Sequence, residues 1–241
     1  MRDQYVSSYL INRTVAIDAG CLGLHGTPQD QEAVRHLFLT HSHSDHTATL
    51  PIFLENAWTP VGDGPRIYGS SETLDGVQRY IFNDVMWPDF IALSKKMRPF
   101  LHMCPLQAET EVKVEGLHIT PVQVDHLVPT FGYVISDSRS AIIVAGDTGP
   151  TNRLWEFAWR TTGLRAIFLE ACFPNSMRQL AETSCHLTPE MFCREVAKMP
   201  AGVKVVAVHI KVRYRDEVVS ELRALGLPDL EIGEGEKEYN F

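Results

Sequence analysis

The sequence predicts an α/β fold: an αββα sandwich of two mixed β-sheets with helices on their outer faces, built as one domain over residues 1–241. Three observations carry that prediction. Strand-like and helix-like runs alternate along the chain, and each half opens with hairpin-like strand pairs. No internal repeat and no Pro/Gly/Ser-rich linker divides the sequence. Apolar residues make up 44% of the chain and charged ones 22%, spread along its whole length, which supports one large core and excludes disorder.

In the first half, 5–11 and 14–18 read as short strands joined by the polar Asn12-Arg13 turn. Residues 34–40 form a further strand that runs straight into a cluster of histidines. A helix starts at Asp45, because Leu50, Phe53, Leu54 and Ala57 fall on one face at helical spacing. A short strand at 66–68 follows, and then Ser70-Ser71-Glu72 caps a helix running to about Val85.

The second half has the same rhythm. Residues 117–124, 131–136 and 141–145 are strand-like runs separated by polar turns. A helix near 152–160 and a strand at 166–169 come next. Thr188-Pro189-Glu190 then opens a helix, with proline in its first turn and an acid near its positive end. A buried strand at 203–208, an amphipathic helix at 215–225 and a last strand at 230–232 complete the pattern.

Several function classes are excluded or disfavoured at this stage. Apolar stretches such as 141–145 are strand-sized, which argues against a membrane span. The opening run Met-Arg-Asp-Gln-Tyr-Val-Ser-Ser lacks the apolar core of a signal peptide and predicts a cytoplasmic protein. Five cysteines without a Cys-x-x-Cys pair read as reduced thiols. With 22 basic against 30 acidic residues, the net charge of -8 disfavours broad, stable binding to nucleic acid, while a local cationic site still admits an anionic substrate.

The central signal is His41-Ser42-His43-Ser44-Asp45-His46, three imidazoles and a carboxylate in six residues where a strand gives way to a helix. Imidazole and carboxylate suit zinc, manganese or iron without thiolates. His41 and His43 can share one ion, with Asp45 and His46 serving a second. A lone histidine reads as an ordinary solvated residue; four ligand types in this pattern read as a metal site. Two ions need more donors, and His126, Asp147 and His209 each follow an apolar strand, where a core-embedded backbone delivers a side chain rigidly to one edge.

These residues resemble the metallo-β-lactamase fold family of dinuclear hydrolases, in the family's order and over nearly the whole chain. The resemblance implies a first site of His41, His43 and His126, a second of Asp45, His46 and His209, and Asp147 as bridge. It implies two divalent cations, zinc before manganese or iron. More narrowly, 50–56, 81–85, 147–151 and 186–189 look like bacterial class II 3′,5′-cyclic-nucleotide phosphodiesterases, of the ribonuclease Z-like branch. Ser44 and Thr47 depart from the leucine and aliphatic residue usual beside Asp45-His46, and Thr49 from a small Gly or Ser.

Two divalent cations, two aspartates and a bridging hydroxide sum to about +1, which suits a phosphodiester monoanion and its more negative transition state. A metal-bridged hydroxide is then the nucleophile that opens cAMP or cGMP to the 5′-nucleotide. The leaving alkoxide needs a proton, and His186, just before a helix and oriented by Glu170, is the candidate donor. Asp45, also a ligand, joins His186 and Glu170 in the expected catalytic set. Asp18 is expected to accept a ligand histidine's other N–H, and the Thr148 hydroxyl to hold Asp147. Lys211 is a weaker candidate for phosphate contact. His25, His36, His102 and His118 read as ordinary structural or surface residues. The aromatics Phe82, Trp87 and Phe90 around Pro88 read as core or as a homodimer contact rather than a base-stacking platform.

The leading expectation is therefore a phosphodiesterase acting on a small cyclic nucleotide. A tRNA 3′-processing hydrolase is the second reading, and a non-hydrolytic di-iron oxygen or redox sensor of the same fold the third. The fold also hosts β-lactamases and thioester hydrolases.

Overall fold

The computed structural model describes residues 6–241, in two compact units, Val6–Gln107 and Ala108–Phe241. The N-terminal unit holds a five-stranded sheet in the order β1 (Tyr9–Ile11), β2 (Val15–Ile17), β3 (His36–Phe38), β4 (Arg66–Gly69), β5 (His102–Pro105). Only β1 and β2 are antiparallel. Asn12 and Arg13 sit in the left-handed region (φ 48° and 65°) within the three-residue turn that joins them, and Thr14 N closes it onto the Ile11 carbonyl (3.3 Å). The first strand thus starts at Tyr9, and the expected start at Tyr5 lies outside the described residues.

The helices of this unit are α1 (Pro28–Glu32), α2 (Ser44–Thr47), α3 (Leu50–Ala57), α4 (Ser71–Tyr80) and α5 (Phe90–Ser94). Where one helix was expected from Asp45, there are two. Thr49 turns both its backbone N–H and its hydroxyl onto the Ala19 carbonyl, at 3.0 and 2.9 Å, so the chain leaves the helical ladder there. Pro51 then fits the first turn of α3, where a missing N–H costs nothing. Ser70 caps α4 as expected, accepting from Thr73 N, but the helix stops at Tyr80 rather than near Val85. The Asn83 side chain donates to the Arg79 carbonyl, and Asp84 enters the left-handed region (φ 60°). Phe82 and Phe90 stack 5.5 Å apart inside the unit's core, so these two rings are packing residues.

The C-terminal unit contains β6 (Val112–Val114), β7 (Leu117–Val124), β8 (Thr130–Ser136), β9 (Ala141–Val144), β10 (Leu164–Glu170), β11 (Lys204–Val208) and β12 (Leu230–Ile232). They form one mixed sheet in reverse sequence order, antiparallel from β6 to β9 and parallel from β9 to β12. Its helices are α6 (Arg153–Arg160), α7 (Arg178–Thr183), α8 (Pro189–Val196) and α9 (Arg215–Ala224). Thr188 caps α8 and Pro189 opens it, as the sequence predicts. Leu154, Trp155, Phe192 and Leu222 close over Ile143, Ile167, Leu169 and Val205 in a core of this unit's own. The strands β7, β9, β10 and β11 point the same way, so the residues that follow them gather at one edge of the sheet.

Candidate metal centre

In the N-terminal unit the parallel strands β2 and β3 deliver Asp18 and the 39–43 loop to one edge. His41 is fully buried and His46 nearly so. Their rings lie 4.2 Å apart by centroid, and His43 meets His41 edge-on at 4.5 Å. Asp18 organises this group. Its carboxylate accepts the Thr40 backbone N–H (2.7 Å), the Thr40 hydroxyl (2.8 Å) and His46 Nδ1–H (2.6 Å). Having given its one proton to Asp18, the Thr40 hydroxyl accepts from His41 Nδ1, 3.0 Å away. Both imidazoles are thereby set in the tautomer whose Nε2 carries a lone pair, the form a metal ligand takes.

Asp18 does this from the left-handed region (φ 59°), which aspartate tolerates better than most residues. Gly20 lets the ligand turn pack close, since a Cβ there would lie 2.2 Å from the Asp45 carbonyl oxygen. The polar departures at Thr47 and Thr49 are absorbed locally. Thr47 donates to the His43 carbonyl, and the Thr49 hydroxyl accepts the Gly23 N–H while donating to Ala19.

The C-terminal unit presents a second group. His126 follows β7, Asp147 follows β9, Glu170 ends β10, and His209 follows β11 in the left-handed region (φ 54°). Ligand atoms of His126, Asp147 and His186 lie within 4.8 Å of one another. His209 Nε2 is 3.2 Å from Asp147 Oδ2 and 3.4 Å from Lys211 Nζ. His126 gives its Nδ1–H to the Cys185 carbonyl (3.1 Å), which again leaves the lone pair on Nε2. Burial holds the His126 pKa below the usual histidine range, although Asp147 and Glu170 pull it upward. The neutral imidazole is the form that binds a cation.

Glu170 is fully buried, and its carboxylate accepts three N–H groups. Oε1 accepts from Thr148 N (2.7 Å) and His186 Nδ1 (2.8 Å), and Oε2 from Leu187 N (3.1 Å). Burial alone would lower the His186 pKa, but the charge of Glu170 and its hydrogen bond outweigh it and hold His186 above the ordinary range. The Thr148 hydroxyl does not hold Asp147. It donates its one proton to the Gly149 carbonyl (2.8 Å), and an ionised carboxylate has none to give back.

The profile of the β-lactamase superfamily domain matches residues 13–210. The chain belongs to the β-lactamase superfamily. Among its curated relatives in the superfamily is a probable 3′,5′-cyclic-nucleotide phosphodiesterase of Yersinia pestis, 24% identical over 228 residues, which cover 84% of this chain and 64% of that protein. A ribonuclease Z of Pseudomonas putida is 30% identical over 112 residues, 46% of this chain and 32% of that one. The chain therefore spans less than two thirds of the length of these curated relatives. Unliganded yeast PDE1 superposes with a TM-score of 0.73 at 23% identity, over 86% of this chain and 68% of that structure. The two mixed sheets with their helices are the metallo-β-lactamase fold.

The side chains fit the divalent cation that this superfamily implies. Each unit gathers imidazole nitrogens and carboxylate oxygens, a donor set suited to zinc, manganese or iron. At His209 a single ring nitrogen faces both a carboxylate oxygen and an ammonium, and it cannot donate to one while accepting from the other. Asp147 Oδ2 and His209 Nε2, 3.2 Å apart, are close enough to serve as neighbouring ligands of one ion.

Sequence reading missed Thr40, whose hydroxyl sets the His41 tautomer, and Cys172, whose sulfur lies within 4.8 Å of ligand atoms of His186 and His209. The signal for Cys172 was present. It is a polar residue just past an apolar strand, the feature that singled out His126, Asp147 and His209. His36 and His102 are structural, bonded to the Tyr68 hydroxyl (3.1 Å) and Asp63 (2.6 Å), and His118 lies 3.1 Å from Glu111. Among the described residues no helix is long and apolar enough to cross a membrane.

Proposed function

We propose that this chain is a metal-dependent phosphodiesterase that hydrolyses 3′,5′-cyclic nucleotides, cAMP and cGMP, to 5′-nucleotides. The observation that carries the reading is the buried Glu170 carboxylate, which orients His186 and the backbone beside Asp147 at once. The likeness to the Yersinia pestis relative supports the substrate class.

The donors proposed for two divalent cations are His41, His43, Asp45 and His46 of the N-terminal unit, and His126, Asp147 and His209 of the C-terminal unit. When bound, such cations, zinc first, supply Lewis acidity and lower the pKa of a coordinated water into the neutral range. The protein's own part is orientation and proton movement. Asp18 and Thr40 fix the tautomers of His46 and His41, and Cys185 that of His126. Asp45 and Asp147 bring one negative charge each, so two divalent cations would keep a net positive charge that suits a phosphodiester monoanion. Glu170 holds the Nδ1–H of His186, so that Nε2 can carry the proton given to the departing 3′-oxygen.

Metal analysis combined with a substrate panel tests the reading: cyclic AMP, cyclic GMP, a linear diester, a precursor tRNA and a β-lactam. Two metals per chain and turnover of the cyclic nucleotides are expected. Cleavage of the tRNA alone would favour the ribonuclease Z reading, which the Pseudomonas putida likeness supports over 112 residues. Strong visible absorbance without hydrolysis would favour a di-iron sensor.

A further inference from the structure

We propose that Glu195, with Lys198 as its partner, is a positioning residue for Asp147, fixing the far end of the loop that carries this ligand. It rests on the reading of Asp147 as a metal ligand and adds a residue outside the ligand and proton-donor sets.

Asp147 follows β9 and begins the short loop that leads into α6. The backbone of that loop is tied at successive residues. Glu170 accepts the Thr148 N–H, and the carbonyl of Asp125, the residue before His126, accepts the Gly149 N–H (2.7 Å). Thr151 is then gripped on both sides. Its N–H donates to Glu195 Oε2 (3.2 Å), and its carbonyl accepts from Lys198 Nζ (2.9 Å). The same ammonium donates to Glu195 Oε1 (2.7 Å), and Trp155 Nε1 donates to Oε2 (2.7 Å). With only 2% of the Glu195 side chain exposed, these donors are not readily exchanged for water.

Two buried glutamates therefore hold the loop, Glu170 at Thr148 and Glu195 at Thr151. One helix relates them. His186, bonded to Glu170, lies just before α8, and Glu195 sits in the last turn of α8. The proton donor and the far end of the ligand loop thus share one support.

Stability alone does not call for a charge at this place. A buried ion pair is often no more stabilising than apolar side chains of the same volume, because both charges must leave water. What an apolar side chain cannot do is receive N–H groups in fixed directions. Direction matters for Asp147, since ligand distances hold to about 0.2 Å and a loop that wanders further loses affinity. The pair also carries no net charge, so it orients Asp147 without offsetting the negative charge that this residue offers a cation.

The test uses the full chain, with zinc titrated against a chelator below the melting temperature of every variant. Glu195→Met should bind zinc about 10- to 100-fold more weakly, the usual cost of losing a group that orients a ligand. Amide hydrogen exchange at Thr148 and Gly149 should quicken in the metal-free variant. Glu195→Gln keeps an oxygen for Thr151 and Trp155 and should recover most of the affinity. Trp155→Phe controls for stability: it removes another donor to the same carboxylate and should lower the melting temperature, yet leave zinc affinity at the wild-type level. Wild-type affinity in Glu195→Met overturns the assignment. So does a Trp155→Phe variant as weak as Glu195→Met, because affinity would then follow stability. If Glu195→Met does not fold, Lys198→Met decides. Lys198 is 35% exposed, and releasing the Thr151 carbonyl should weaken zinc severalfold, the worth of one hydrogen bond. Unchanged affinity there overturns the assignment. A wild type that binds no zinc removes the ligand reading and the role of Glu195 with it. Zinc bound with cyclic AMP left intact removes only the phosphodiesterase reading, and the titration still decides Glu195.

Discussion

The Glu170 carboxylate and the His186 imidazole share a 2.8 Å hydrogen bond in a buried environment, although 16 residues separate them. The strand β10 sets the acid at the sheet edge, and the start of α8 sets the base. Because Oε1 also accepts from Thr148 N, one oxygen couples the orientation of His186 to the loop that carries Asp147. Histidine beside a buried carboxylate is protonated more readily than histidine alone, which suits it to give a proton rather than take one.

Substituting His186→Ala should leave metal content unchanged and lower kcat for cyclic AMP by roughly two to four orders of magnitude, the usual worth of positioned proton transfer. The deficit should shrink for a substrate with a nitrophenolate leaving group, which departs without a proton. An equal deficit on both substrates would instead make His186 a binding or structural residue.

Asp147→Ala removes a carboxylate placed 3.2 Å from His209 Nε2. Metal analysis after dialysis should show fewer than two ions per chain, and hydrolysis should disappear. Full metal content with full activity in this variant would refute the ligand assignment.

Asp18→Asn isolates charge from shape, since asparagine also tolerates the left-handed backbone at this position (φ 59°). The amide keeps one carbonyl oxygen, which can serve either the Thr40 backbone N–H or the Thr40 hydroxyl and His46 Nδ1–H, and it turns an N–H₂ toward the rest. Metal affinity should fall roughly 10- to 100-fold, the usual cost of losing a carboxylate behind a ligand histidine. A competition titration against a chelator measures it, and an unchanged affinity would show that the Asp18–His46 bond is structural only.

Gly20→Ala tests whether the ligand turn needs its close approach. The new methyl would meet the Asp45 carbonyl oxygen at 2.2 Å and the Ser7 backbone at 2.7 Å, so the turn must shift. Lower metal affinity and a reduced melting temperature are expected, and a variant with both unchanged would show that the turn yields at no cost.

Much of this was legible in the sequence because the signals were local. The histidine cluster, the polar residues ending apolar strands and the Thr188-Pro189 helix start all lie within a few positions of the features they predict. What stayed hidden depended on distant partners. The break between α2 and α3 comes from Thr49 bonding to Ala19, 30 residues away. The early end of α4 rests on the Asn83 side chain and the left-handed Asp84, which mimic no helical period. The strands β5 and β6 are short, and His102–Pro105 offers no alternation to read. At Thr148 the residue type was right for a supporting bond, but its hydroxyl found the Gly149 carbonyl instead of Asp147.

The final prediction concerns substrate size: cyclic mononucleotides should be cleaved far better than precursor tRNA. The resemblance to the ribonuclease Z-like branch implies that a tRNA-processing member would grip its substrate with a flexible arm inserted between the positions of His126 and Asp147. Here the interval from 126 to 147 is 21 positions, and β8 (Thr130–Ser136) with β9 (Ala141–Val144) takes up half of it. The turn between them is closed by the Asp137 side chain, which accepts the Arg139 and Ser140 N–H groups at 2.7 and 2.8 Å. That leaves no length for an arm. A tRNA would also need an extended basic surface, whereas this chain carries 30 acidic against 22 basic residues and no Lys/Arg run. A cyclic diester needs only a metal centre, a proton donor and a modest pocket for its base. Parallel assays at low enzyme concentration decide it. Efficient removal of a 3′ trailer with cyclic AMP and cyclic GMP left untouched would sink the assignment.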